Sequence, residues 1–422
     1  MTSQPHEQPP EQGVVRTYIA RLRAFRPNAW KYLIGLTVYG AGFGVYRILL
    51  NFFLRSLGYN ETFMGLIATI SSMTVLISAL PMGYLADILG RKRSLVISSV
   101  LIGPSIVLMA LFPSSAMLIS MNVLMGIGAS LGSVTTGPFL MENSGDEERT
   151  YLFSISSGMR MTALSVGNWI GGYLPTWFGG FFGVGFTSAT AYAWAIGSAG
   201  VLVSTAVIPR LMLDRNRLAE EDQSLFAPFK FVKQYPGMLT KLLLPMFVTS
   251  IGAGLIMPFM NIFFSTVHHQ PDGVIGTMFA WGSLAMGVGL ILAPIFADKY
   301  GKIRVVVVTQ ALSIPFLILL GFSPWFGLSA IAYFIRLTLM NMSSPVYQTF
   351  VMEQVDSDSR AMVASLNSMV QSFGRAFSPV ISGWMQVAYG FGPPFIGTIS
   401  LYVVAIGLYY VFFLRGRKRR VG

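Results

Sequence analysis

Gly83-Tyr84-Leu85-Ala86-Asp87-Ile88-Leu89-Gly90-Arg91-Lys92-Arg93 returns, 211 residues later, as Pro294-Ile295-Phe296-Ala297-Asp298-Lys299-Tyr300-Gly301-Lys302-Ile303-Arg304. Each copy sits between two long apolar runs. The same offset carries Phe139-Leu140-Met141-Glu142, followed by Arg149, onto Phe350-Val351-Met352-Glu353, followed by Arg360, and Gly65 onto Gly276. Asn51-Phe52-Phe53 and Asn261-Ile262-Phe263 pair at 210, one residue short, which implies a single insertion between these sites. An offset held across four helices is the mark of a tandem duplication.

Runs long enough to cross about 30 Å of hydrocarbon at about 1.5 Å per residue fall at 30–53, 62–86, 94–112, 115–141, 150–174 and 187–208. Six more fall at 239–265, 273–296, 303–322, 325–349, 361–388 and 393–414. The chain is 53% hydrophobic and 11% charged, with a mean hydropathy of +0.62, too much apolar surface for a soluble domain to leave in water. The predicted fold is an all-α integral membrane protein of twelve transmembrane helices, arranged as two pseudo-symmetric six-helix bundles. Its parts are a basic arm (1–29), the first bundle (30–208), a charged linker (209–238), the second bundle (239–414) and a basic tail (415–422). Six helices return the chain to its starting side, so the repeats share one topology and a binding site is expected at midplane between them.

In a soluble protein a net charge of +12 would point to nucleic acid; here its distribution reports orientation. Of 29 basic residues, Arg47, Arg160, Arg336 and Arg375 fall inside predicted helices and Arg55 on one face. The rest gather on the other face, in the arm, the linker, the tail and the turns at 91–93, 149, 299–304 and 360. Both termini and the linker are therefore expected in the cytoplasm, with the chain in the cell membrane.

The motif at 83–93, its degenerate copy and the twelve-helix count resemble the major facilitator superfamily over essentially the whole chain. The resemblance implies a transporter in which Asp87 ends its helix, where the helix dipole disfavours a negative charge, and meets a partner across the interface between halves to hold the cytoplasmic side shut. Gly83 and Gly90 would allow close approach and a tight turn, with Arg91, Asp298 and Gly301 as the matching gate positions. Pro294 stands where the copy's first glycine would be, and Ile303 replaces a basic residue. Glu142, Arg149, Glu353 and Arg360 at helix ends either join this network or form exposed, weakly coupled pairs. In the fifth span, Gly158, Gly167 and Gly171-Gly172 partly match the glycine pattern of proton-coupled drug antiporters; Gly172 and Pro175 depart from it, and packing is the plainer reading.

An arginine at the centre of a bilayer helix costs at least about 2.5–3.5 kcal/mol, so each is a functional candidate. Arg160, Arg336 and Arg375 lie near midplane of the fifth, tenth and eleventh spans, and Arg47 nearer the outer end of the first, where it either snorkels or meets substrate. The resembled fold sets these helices around a central cavity and turns helices 3, 6, 9 and 12 to lipid. Asn367, Gln371 and Arg375 recur every four residues as one polar stripe. Tyr333 shares a face with Arg336, and Asn51 and Asn261 complete the candidate substrate-binding set. All 17 acidic residues lie in loops, tails or helix ends, so nothing at midplane neutralises the arginines. Buried guanidinium groups without counter-ions suit a carboxylate or phosphate ligand.

There is no cysteine, and three histidines are too few and too scattered for a metal cluster. Gly128-Ala129-Ser130-Leu131-Gly132 formally matches a nucleophile elbow but lies within an apolar span with no triad partner. No catalytic residue, cofactor or metal is expected. The chain reads as a secondary transporter of an organic or amphipathic anion working by alternating access; the alternative is a drug/proton antiporter exporting lipophilic, cationic compounds. Expected partners are the lipid bilayer, the small-molecule substrate and a coupling ion, either a proton or an exchanged anion, with the chain acting as a monomer.

Overall fold

The computed structural model describes residues 22–23, 25–145, 148–214, 235–355 and 360–415. The start of the arm, most of the linker, the tail beyond 415 and the Arg360 side chain lie outside the described residues. The described chain is helical, without strands. Its helices are α1 (Pro27–Ser56), α2 (Glu61–Leu89), α3 (Arg91–Leu111), α4 (Ser115–Glu142), α5 (Arg149–Phe182) and α6 (Ala189–Thr205, extended by Val207–Leu211). After the linker come α7 (Pro236–Ile256, a 3-10 turn Met257–Phe259, then Met260–Thr266), α8 (Asp272–Tyr300), α9 (Lys302–Phe322), α10 (Phe326–Glu353), α11 (Arg360–Tyr389) and α12 (Gly392–Tyr409, ending in the π turn Tyr410–Leu414). Among the described residues, eight of these helices are long and apolar enough to cross a membrane by length and composition alone.

Local chemistry sets the ends. Asn60, Ser114 and Ser188 cap α2, α4 and α6 by accepting from the backbone N–H three residues on. Pro27 and Pro236 open α1 and α7, where a missing N–H costs nothing. Pro258, which lacks the donor an α-helix needs, falls in the 3-10 break of α7.

The motif at 83–93 was expected to span a loop; the structure narrows that loop to Gly90, and its copy to Gly301. Both are left-handed (φ 82° and 85°), and each donates to the carbonyl four residues back, Ala86 or Ala297. A side chain is strained in that conformation, so one glycine turns α2 into α3 and α8 into α9. Arg91, Lys92 and Arg93 thus form the first turn of α3 rather than a loop.

Packing repeats with the sequence. In the first half α1 lies on α5 and α6, α2 on α4, and α3 on α4 and α6; in the second, α7 lies on α11 and α12, α8 on α10, and α9 on α10 and α12. The halves meet through α2 against α11 and α5 against α8, with the last segment of α7 touching α1.

This junction lies toward one face, opposite the basic turns and here termed the far face. A single apolar core there, including Leu49, Phe52, Met64, Phe263 and Phe264, draws on both halves. Toward the basic face the core divides: Tyr32, Leu33, Phe139 and Leu152 pack in the first half, Leu242, Val306, Tyr347 and Val363 in the second. Two glycine contacts repeat at the offset of 211. A Cβ on Gly65 would stand 2.3 Å from the Pro379 carbonyl oxygen, and on Gly276 2.6 Å from that of Asn168. Likewise Gly383 abuts the Glu61 carbonyl (2.2 Å) and Gly172 that of Asp272 (2.6 Å). No side chain fits at these distances.

Candidate functional site

The second half lines an open cavity of about 230 Å³ between α7, α9, α10, α11 and α12. Arg336, 1% exposed, is its most unusual wall. Its Nη2 donates to the Tyr402 hydroxyl (3.2 Å), and its guanidinium carbon stands 5.5 Å from that ring's centroid. Its Nε and Nη1 are buried without a hydrogen-bond partner. Leaving such donors dry is costly, so they mark a place for an acceptor, water or ligand.

Arg375 and Gln371, one α11 turn apart, line the same cavity. Arg375 is exposed, and its Nε donates to the Gln371 carbonyl at 3.3 Å. Gln310, Asn341 and Ser343 add polar groups, with Gln310 Nε2 3.4 Å from Ser343 Oγ; Met246, Met257 and Met340 add apolar wall. Among the described residues, the lining contains no carboxylate.

The other substrate-binding candidates lie elsewhere. Arg160 is exposed on α5 and acts electrostatically on Tyr32 and Tyr39 of α1, in the first half. Arg47 is exposed on α1 and its charge reaches Tyr333. Tyr333 itself is packed among Phe264, Phe279 and Phe334. Asn367 is buried, its Oδ1 unpartnered, one turn of α11 from Gln371. Asn51 and Asn261 do not line the cavity either, because they hold each other: Asn51 Nδ2 donates to Asn261 Oδ1 (2.9 Å) and to the Pro258 carbonyl (2.7 Å), and Asn261 Nδ2 to the Ile48 carbonyl (2.9 Å).

The gating candidates are placed as follows. Arg91 bridges Asp87 (2.8 Å) and Glu142 (2.9 Å), and Lys302 pairs with Glu353 at the equivalent position of the second half. Each of these pairs closes within one half, so among the described residues Asp87 pairs with Arg91 of its own motif rather than with the cross-half partner expected for it. The physical reason is the divided core: the basic ends of the bundles do not share an apolar interior. Gly83, expected to serve close approach, meets nothing within 4 Å of a Cβ. Asp298 is exposed. In α5, Gly167 packs on Ala41 and Gly44, Gly171 on Val45 and Ile48, and Gly172 on α8, whereas Gly158 meets nothing.

Sequence reasoning missed the roles of α9, α12 and Arg210. Gln310, Tyr402 and Tyr409 line the cavity from helices expected to face only lipid. Arg210, read as part of the linker, is 5% exposed in the extension of α6, donating to the Leu95 carbonyl (3.0 Å) and Ser99 Oγ (2.6 Å) and lying 5.5 Å from the Tyr39 ring centroid. Far-side bonds were also unforeseen: Tyr192 donates to Asp272 (2.5 Å), Arg55 to Thr266 (2.7 Å) and Ser165 to the Ala280 carbonyl (2.9 Å), each joining the halves.

Comparison with known proteins agrees with this architecture. Multidrug resistance protein MdtG of Dickeya zeae is 24% identical over 404 residues, covering 92% of this chain and 94% of that protein. Quinolone resistance protein NorA of Staphylococcus aureus is 20% identical over 351 residues, covering 81% and 85%. A bacterial homologue of the human lysosomal transporter Spinster, solved in an inward-facing, unoccupied conformation, superposes with a TM-score of 0.77 at 15% identity, over 92% of this chain and 97% of that one. The profile of the Major Facilitator Superfamily matches residues 32–248 and 242–422. The chain therefore belongs to the Major Facilitator Superfamily, and is a multi-pass membrane transporter of a small molecule rather than an enzyme.

Proposed function

We propose that this transporter carries an organic anion by alternating access, and that the arrangement described is its inward-facing form. The observation that carries the substrate class is Arg336, buried with two unpartnered nitrogens in a cavity that holds a second arginine and no carboxylate. An anionic group satisfies those donors and offsets a charge that the apolar surroundings otherwise penalise. Arg336 and Arg375 take the anion, Gln371 orients it, and the methionines and tyrosines accept its apolar body. Arg160 and Arg47, across the interface, and Asn367 complete the site when the halves close on the basic side.

The basic face is read as cytoplasmic, with both termini there and the chain in the cell membrane as a monomer. The boundaries given from sequence, 30–208 and 239–414 for the bundles, stand as our division of the chain. In the opposite state, Asp87, Arg91, Gly83 and Gly90, with Asp298, Gly301, Glu142, Arg149, Glu353 and Arg360, close the basic face while the far-face bonds part. Transport assays in proteoliposomes test the reading: radiolabelled organic anions should exchange, and Arg336→Gln should abolish it. A second reading, export of drugs coupled to protons, is favoured by the names of the two relatives. Transport of lipophilic cations that survives Arg336→Gln would establish it instead.

A further inference from the structure

Among the described residues, one carboxylate of the far-face junction bonds across the halves. Asp272, the first residue of α8, accepts the Tyr192 hydroxyl of α6 at 2.5 Å. Its backbone carbonyl lies against Gly172 of α5, so closing the far face lays the first half directly over this turn. The carboxylate is half-buried there. Arg55 of α1 acts on Asp272 through space, but its guanidinium is held by Glu61 of α2 (3.4 Å) and Thr266 of α7 (2.7 Å). Tyr173 of α5 packs on Gly273 and bonds Thr277. His268 and His269 lie in the turn before α8, with His268 enclosed by Phe263, Phe264 and Phe326. A hydroxyl, and not a cation, therefore receives Asp272.

We propose that Asp272 is a proton-binding site whose occupancy sets the closure of the far face. When that face opens, the carboxylate returns to water; when it closes, water is replaced by a phenol and the backbone of α5. Burying the ionised form costs more than burying the acid, whereas the α8 dipole favours the anion in both states and does not discriminate between them. The closed state therefore binds the proton more tightly, and acid on the far side favours closure. The protonated carboxyl still bonds Tyr192, so no partner is lost. This supplies a carboxyl group, which the described lining of the central cavity lacks. The inference rests on the alternation proposed above.

The chain has no cysteine, so engineered ones are its only thiols. Thr187→Cys and Pro324→Cys place spin labels on exposed turns of the two halves at the far face, and pulsed electron resonance in nanodiscs reads their separation at about pH 5.5 and about pH 8.5. The short-distance population should rise about threefold or more in acid. Asp272→Asn should show the acid distribution at both pH values, and Tyr192→Phe should shift the midpoint without removing it. Glu61→Gln and His268→Phe should titrate as the parent does. Retention of the full response in Asp272→Asn, or its loss in His268→Phe, overturns the proposal. So does a pH-independent separation that the Asn51→Ala, Asn261→Ala pair still widens, which would leave alternation standing. A separation that nothing alters would remove alternation and proposal together.

Discussion

Asn51 and Asn261 hold the two halves together as symmetry mates. Each donates to the carbonyl of the residue three positions before the other, Pro258 and Ile48, and the two side chains are themselves bonded at 2.9 Å. Neutral hydrogen bonds of this kind are worth about 1 kcal/mol each. Each variant removes two of these bonds, so Asn51→Ala and Asn261→Ala should each lower the closed-to-open ratio of the far face roughly thirtyfold, and the double variant should fall short of the sum, because the shared bond is lost only once. Accessibility of a far-face cysteine to a membrane-impermeant maleimide checks this.

Gly172 and Gly383 meet carbonyl oxygens of the opposite half with no room for a methyl group. Gly172→Ala and Gly383→Ala should therefore hold the far face apart and slow transport by an order of magnitude or about that. Gly180→Ala, whose Cβ would meet nothing, is the control and should transport as the parent does.

Gly90 and Gly301 carry the left-handed turns between α2 and α3 and between α8 and α9. Replacement by alanine should cost roughly 1–2 kcal/mol at each. A fall in melting temperature of both variants, with the larger loss in the double, is the expected result.

His268 is 8% exposed, its Nε2 buried without a partner, and burial holds its pKa below the ordinary histidine value of 6.5, with His269 adding to the depression. A histidine depressed in the fold stabilises it fully above its unfolded pKa, and that contribution is lost as pH falls below about 6.5 because the unfolded chain binds the proton better. The melting temperature should drop between neutral pH and about pH 5, and His268→Phe should flatten that drop.

The repeat made the architecture legible. The offset of 211 located both halves, and the structure shows the same offset in Gly65 with Gly276 and in Gly172 with Gly383. Arg336 and Arg375 could be picked out as cavity-lining candidates because a charge within an apolar helix is conspicuous, and Gln371 because it shares a helical stripe with Arg375. Tyr402 and Gln310 could not: each is an ordinary polar residue on a helix that topology assigns to the lipid side, and only the packing of α9 against α10 and of α12 against α7 and α9 turns it inward. Arg210 hid for a related reason, since a basic residue beside a charged linker looks like linker until α6 is seen to continue past Thr205. Asn51 and Asn261 were found by the repeat but read as ligands of substrate, because sequence lists polar groups without saying which face each other. Tyr192 and Asp272, 80 residues apart in the chain, share no pattern at all.

The most direct test of the account is the melting temperature of the purified protein against a panel of organic anions, phosphate esters and lipophilic cations, since a ligand that binds the folded state raises it by mass action. We predict stabilisation by a subset of the anions that disappears in Arg336→Gln and weakens in Arg375→Gln. Stabilisation by lipophilic cations alone, undiminished in Arg336→Gln, would contradict the anion cavity and leave Arg336 a structural group of the second half.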